Sequence, residues 1–168
     1  MAYDAFMYLD GGAPTCKGET QDDAYKTKGA FEIYSFSWGA SNPTTIGSGT
    51  AGSGAGKVSI SSFNIMKRSD SASPGLFLNC AKGQHFDAAH VVLRKAGGTA
   101  LEYLTYDFEE VFVESIQWSG SSGGDDTPTE SVSFAFGKVD IKYTPQGAKG
   151  TPGKTIPASW DLRANISE

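Results

Sequence analysis

LEYLTYDFEEVFVESIQW, residues 101–118, decides the fold. The stretch contains no Gly or Pro, so a helix is open on that ground alone. Its composition argues against one. Tyr103, Thr105, Tyr106, Phe108, Val111, Phe112, Val113, Ile116 and Trp118 are aromatic or β-branched, types that fit a pleated, half-buried surface. Ala and Leu, which would favour helix, are few. The stretch reads as two strands with a bend near Glu109-Glu110.

The flanking sequence has the same character. Tyr3, Ala5, Met7 and Leu9 alternate with Asp4, Phe6 and Tyr8, the period-two pattern of a strand. In residues 31–38, Tyr34, Phe36 and Trp38 share one face, expected to be the core face; Ser35 and Ser37 share the other. Residues 57–66 change phase near Ser61-Ser62, as a β-bulge would produce. Residues 132–143 change phase at Gly137, consistent with a bend. Residues 89–95 add a strand, and a last short one is expected over 160–166. Residues 120–129 (GSSGGDDTPT) read as a hairpin loop, and 144–157 as a loop before the last strand.

One segment breaks the pattern. Residues 73–83 (SPGLFLNCAKG) offer Ser73 as N-cap, Pro74 at the first helical position and Gly83 as terminator, so a short helix is expected. Leu76, Phe77 and Cys80 would bury it. The expected fold class is therefore mostly β: a single-domain β-barrel, 1–168, of two packed antiparallel sheets with one short α-helix on its side.

Bulk properties narrow the function. The 168 residues carry 14 Lys and Arg against 19 Asp and Glu, a net charge of −5. An acidic domain without a basic run is a poor nucleic-acid binder, because phosphate contacts supply most of that affinity. No apolar stretch is long enough to span a membrane. The start, MAYDAFMYLDGG, lacks the basic region of a signal peptide, so a cytoplasmic product is expected. Cys16 and Cys80 are then expected as free thiols.

Glycine is the compositional oddity: 21 residues, five of them within residues 47–56. That clump ends in Gly54-Ala55-Gly56-Lys57-Val58 and invites a phosphate-loop reading. The motif needs Gly, four residues, Gly, Lys, then a hydroxyl to hold Mg²⁺. Ala51 and Val58 occupy two of those places, and a strand follows where a helix is needed. Cys80, His85, Asp87 and His90 are metal-ligand types, but C-x4-H-x4-H matches no usual zinc spacing. The acid pairs Asp22-Asp23, Glu109-Glu110 and Asp125-Asp126 point to opposite faces or into solvated loops. No G-x-S-x-G elbow is present. The sequence predicts no catalytic, cofactor or metal site, and no enzyme.

Several blocks, in order along nearly the whole chain, resemble the Hcp (haemolysin-coregulated protein) family, the tube protein of bacterial type VI secretion. They are Lys17-Gly18-Glu19, Ser37-Trp38-Gly39, Gly54-Ala55-Gly56-Lys57-Val58, Phe63 with Lys67 and Asp70, Ser73-Pro74, Cys80, Gly83 and His85. Arg94-Lys95-Ala96-Gly97-Gly98, Glu102-Tyr103-Leu104, Glu130 with Phe134 and Phe136, Tyr143 and Trp160 complete the set. The loop from Asp10 to Cys16 looks longer than in many members.

The resemblance implies a hexameric ring. Rings stack into a tube inside a contractile sheath, behind a spike, and small effector proteins travel in the lumen. The chain would sit in the bacterial cytoplasm before firing and outside or in a target cell afterwards, with no nucleic acid bound and no membrane insertion. Ser41, Asn42, Pro43, Thr44, Thr45, Ile46, Gly47, Ser48, Gly49, Thr50, Ala51, Gly52, Ser53 and Gly54 are expected to form the ring-stacking arm. Ser35 and Ser37 are expected to face lumen and cargo. A phage-type tail tube protein and a monomeric barrel that binds a small ligand or sugar are the alternatives.

Overall fold

Period-two alternation and β-branched content give strands whose apolar faces must be covered. In the computed structural model, which describes residues 3–46, 54–97 and 100–168, a curled sheet provides that cover. Its strands are β1 (Tyr3–Gly11), β2 (Phe31–Glu32), β3 (Ser35–Ser37), β8 (Phe63–Arg68), β9 (His85–Lys95), β10 (Glu102–Ser119), β11 (Thr129–Tyr143) and β12 (Ile156–Asp161). The order is β2-β1-β9-β10-β11-β8-β3, with β12 also on β11. Two two-stranded ladders stand apart: β4 (Ala40–Ser41) with β7 (Ser59–Ile60), and β5 (Thr44–Thr45) with β6 (Gly54–Ala55).

The sheet closes through one short segment. β2 pairs with β1 at one end of the order, and β3 pairs with β8 at the other. Only Ile33 and Tyr34 separate them; the Ile33 amide donates to Ala5 and the Tyr34 amide to Met66. This switch of partner resets the side-chain alternation. Ile33 is buried, but Tyr34 is 56% exposed beneath the Arg68 guanidinium. Tyr34 therefore does not join Phe36 and Trp38 against the core, as simple alternation predicts.

β10 and β11 pair along most of their length and bend together, so one sheet supplies two facing halves. The bend falls where expected, at Glu110 (φ 53°) and Gly137, but β10 continues through it as one strand. A side chain at Gly137 would meet the Glu110 carboxylate 3.0 Å away. The phase change at Ser61-Ser62 separates β7 from β8: the chain leaves its ladder with β4 and joins β11. The last strand ends at Asp161, earlier than expected, because Asp161 Oδ1 accepts the Arg163 and Ala164 amides and folds the chain into a turn.

Inside, Phe63, Phe108 and Phe136 form a series of tilted ring contacts, with ring centres 4.9 and 4.5 Å apart. Trp38 closes over it, edge-on to Phe108 and Phe136. The helix α1 (Ser73–Lys82) ends at Gly83 (φ 65°), as expected. Its cap differs. Ala72 occupies the N-cap position, and the Ser73 hydroxyl instead accepts the Asp70 amide at 2.9 Å. Ser73, Leu76 and Asn79 lie three residues apart and form the buried face with Gly75. Phe77 lies off that face and is 49% exposed, and Cys80 is half-buried. Burying Leu76 completely stabilises this packing by about 1.5–3 kcal/mol.

Candidate functional site

The polar stretch after Trp38 leaves the barrel as a narrow hairpin. Ala40 and Ser41 pair with Ile60 and Ser59; Thr44 and Thr45 pair with Ala55 and Gly54. The Gly56 amide donates to the Pro43 carbonyl at 3.0 Å, holding the two ladders in line. A side chain at Gly56 would meet Pro43 at 3.0 Å, so glycine allows the close approach. Ser41, Asn42, Pro43 and Thr44 are exposed, and Ile46 is 87% exposed. Gly47, Ser48, Gly49, Thr50, Ala51, Gly52 and Ser53 lie outside the described residues.

Ser35 and Ser37 are both exposed, and strand register extends them into a surface. One cross-strand row reads Ser37, Asn64, Ser133, Ser115; the next reads Ser35, Met66, Ser131, Gln117. The Ser133 hydroxyl donates to Asn64 Oδ1 at 2.5 Å, and Asn64 Nδ2 donates to the Ser62 carbonyl at 3.2 Å. The result is a wall of hydroxyls and amides, interrupted by the exposed Met66, carried by four strands. Asn64, Ser115, Gln117, Ser131 and Ser133 were not singled out from sequence. Their period-two placement was a usable signal; the pairing that aligns them was not.

The opposite half of the sheet carries charge. Tyr8, His90, Asp107 and Asp140 stand side by side on β1, β9, β10 and β11. His90 bridges two carboxylates, Nδ1 at 2.6 Å from Asp107 and Nε2 at 2.9 Å from Asp10. The hydrogen bond to Asp107 raises the His90 pKa above its ordinary value, against an opposing push from burial; Asp10 adds to the rise. The same bond lowers the Asp107 pKa. Farther along, Arg94 donates to Asp22 and Asp4, which fastens residues 22–30 over Phe6 and Val92.

Gly54 and Ala55, at the end of the glycine run, lie in a strand and not at a helix N-terminus. Among the described residues, no three His, Cys, Asp or Glu side chains converge as a metal site. Among the described residues, no helix is long and apolar enough to cross a membrane. Cys16 is buried, and burial pushes its thiol up to about 11. Cys80 is likewise free.

Residues 6–143 match the family described as "Type VI secretion system effector, Hcp". The chain belongs to the Hcp family. Its membership spans β1 to β11, the helix and the hairpin arm; β12 lies beyond the matched region. Protein hcp1 of Pseudomonas aeruginosa is 37% identical over 112 residues, covering 66% of this chain and 68% of that protein. A structure described as a type six secretion system protein superposes with a TM-score of 0.91 at 34% identity, covering 99% of this chain and all of the other. Hcp1 from Salmonella typhimurium superposes at 0.80 with 35% identity over the whole of both chains. As an Hcp-family chain it is a type VI secretion tube protein in fold and kind.

Proposed function

We propose that this chain is the subunit of a hexameric ring that stacks into the inner tube of a type VI secretion system. The chain acts as one domain, 1–168, without catalysis. The observation that carries the reading is the pairing of two surfaces on one Hcp-family barrel: a protruding, uncharged hairpin arm beside an uncharged serine-rich wall. The wall, from Ser35 and Ser37 across to Ser115 and Gln117, lines the lumen and holds small effector proteins loosely. The arm, residues 41–54, reaches the next ring. Sheath and spike proteins are the further partners. The ring waits in the bacterial cytoplasm and leaves with the tube when the sheath contracts.

A ring uses heterologous contacts, one face of each subunit against a different face of the next. Native mass spectrometry with negative-stain imaging tests the assembly. Six-membered rings with a central hole support the reading. A monodisperse monomer over a wide concentration range overturns it and favours a ligand-binding barrel. Deleting residues 48–53 should leave rings intact and impair tubes; normal tubes from the deletion would overturn the arm's role.

A further inference from the structure

The structure assigns a receptor for the arm, and this assignment rests on the stacking role above: Ile46 of one subunit docks beside Trp118 of a subunit in the next ring. A cleft of about 420 Å³, far larger than one isoleucine side chain, lies between the end of β10 and the hairpin loop that follows it. Trp118, Ser119, Ser121, Asp125, Thr127 and Pro128 line it. Phe77 of the helix packs at its edge, ring centre 6.0 Å from Trp118. Phe77, Leu78 and Trp118 are 49%, 39% and 46% exposed. Phe77 and Trp118 together form a small exposed apolar patch beside the cleft.

Trp118 is held before any partner arrives. Its Nε1 donates to Glu130 Oε2 at 2.8 Å. Glu130 is itself fixed by Lys67 at 3.0 Å, and both are fully buried. An aromatic group oriented in advance loses little entropy on binding. Such anchored tryptophans are the residues that dominate interfaces.

Three observations select a second copy of this chain as the occupant. First, a head-to-tail stack needs complementary surfaces at opposite poles. The arm leaves at the Ser37–Asn64 end of β3 and β8, and the cleft sits past the other end of β8, where Arg68 meets Thr129 and Thr129 meets Ser119. Second, residues 41–54 carry no charged side chain, and Asp125 is the one charged residue lining the cleft. Docking therefore buries no unpaired charge from the arm. Third, Ile46 is the arm's sole large aliphatic or aromatic side chain, and solvent surrounds it. An apolar knob and a cleft edged by Trp118 and Pro128, at opposite poles, cover each other only when copies stack.

The test uses the full chain, with rings scored by native mass spectrometry and stacking by sedimentation and negative stain. Ile46→Asp and Trp118→Ala should each keep the ring and raise the concentration needed for stacking roughly tenfold or more, the scale of losing a hot-spot contact. Ile46→Cys combined with Ser121→Cys, in a Cys80→Ser background, should form disulfides that link two rings under stacking conditions only. Native stacking by both single variants, together with no inter-ring disulfide, overturns the docking assignment and leaves the arm's stacking role standing. Rings of the native chain that never stack overturn both.

Discussion

Lys67→Met isolates what the buried ion pair does. Lys67 has no exposed surface. Its Nζ donates to Asp70 Oδ1 at 2.7 Å, to Glu130 Oε1 at 3.0 Å and to the Arg68 carbonyl at 2.8 Å. Met has nearly the same volume, so the packing loss is small. The electrostatic loss is not. Glu130 is equally buried and keeps the Trp118 indole as its remaining donor among the described residues. Removing one partner of such a pair costs about 3–5 kcal/mol. Asp70 reaches the surface and can turn to water, so it adds little. At this chain length each kcal/mol moves Tm by about 2–4 °C, so a fall of about 6–20 °C is expected. Adding Glu130→Gln removes the orphan charge and should recover more than half of the loss. Thermal and urea unfolding at one fixed protein concentration measure it, because assembly adds to apparent stability. A single variant within about 1 kcal/mol of the native chain, the ordinary range of a mild substitution, refutes the reasoning. A double variant no more stable than the single one refutes it too.

Three further outcomes are expected. His90 gains its two carboxylate partners on folding, and its pKa rises above the ordinary 6.5. The stability it contributes is complete below 6.5 and falls away as pH climbs through the raised value; His90→Gln should flatten the stability–pH curve on that alkaline side. Cys16, buried with its thiol pushed up to about 11, should resist iodoacetamide at pH 8 in the folded chain while half-buried Cys80 reacts first, as mass spectrometry of alkylated peptides would record. Ser37→Gln adds bulk to the serine wall without touching the core; rings should form normally, and co-purification of effector cargo should drop several-fold, whereas unchanged cargo yield argues against a lumenal Ser37.

Local pattern made much of this chain legible. Alternation placed β1, β3, β8, β10 and β11, and the two phase changes at Ser61-Ser62 and Gly137 marked a real strand break and a real bend. Legibility failed where the decisive partner is distant. Tyr34 lost its core place because the chain changes neighbours there, from β1 to β8. Ser73 looked like an N-cap by position, yet Asp70 and Lys67 claim its hydroxyl. Asp10, His90 and Asp107 are widely separated in sequence, and only the register of β1, β9 and β10 brings them together. Lys67 and Glu130 were visible as family-like residues, but nothing local says that a lysine and a glutamate in separate strands will both lie fully buried and paired.

The division of charge between the two halves of the sheet bears on the proposed conduit. Asp4, Arg94, Asp10, His90, Asp107, Glu109, Lys138 and Lys142 all sit on one half and pair across strands. Such pairs fix strand positions and cancel much of each other's field. The serine wall is different. Its charged neighbours, Glu114 at a bulge and Arg68 at a strand end, stand at its margins. A charged wall would hold cargo of opposite sign and repel cargo of like sign. Hydroxyl and amide groups remain hydrated and offer each passing surface only weak, exchangeable hydrogen bonds. A lumen that must accept unlike small proteins and then release them needs weak contacts of that kind. The same logic places the proposed binding energy for assembly elsewhere, in Trp118 and Phe77 beside the cleft and in Ile46 on the arm.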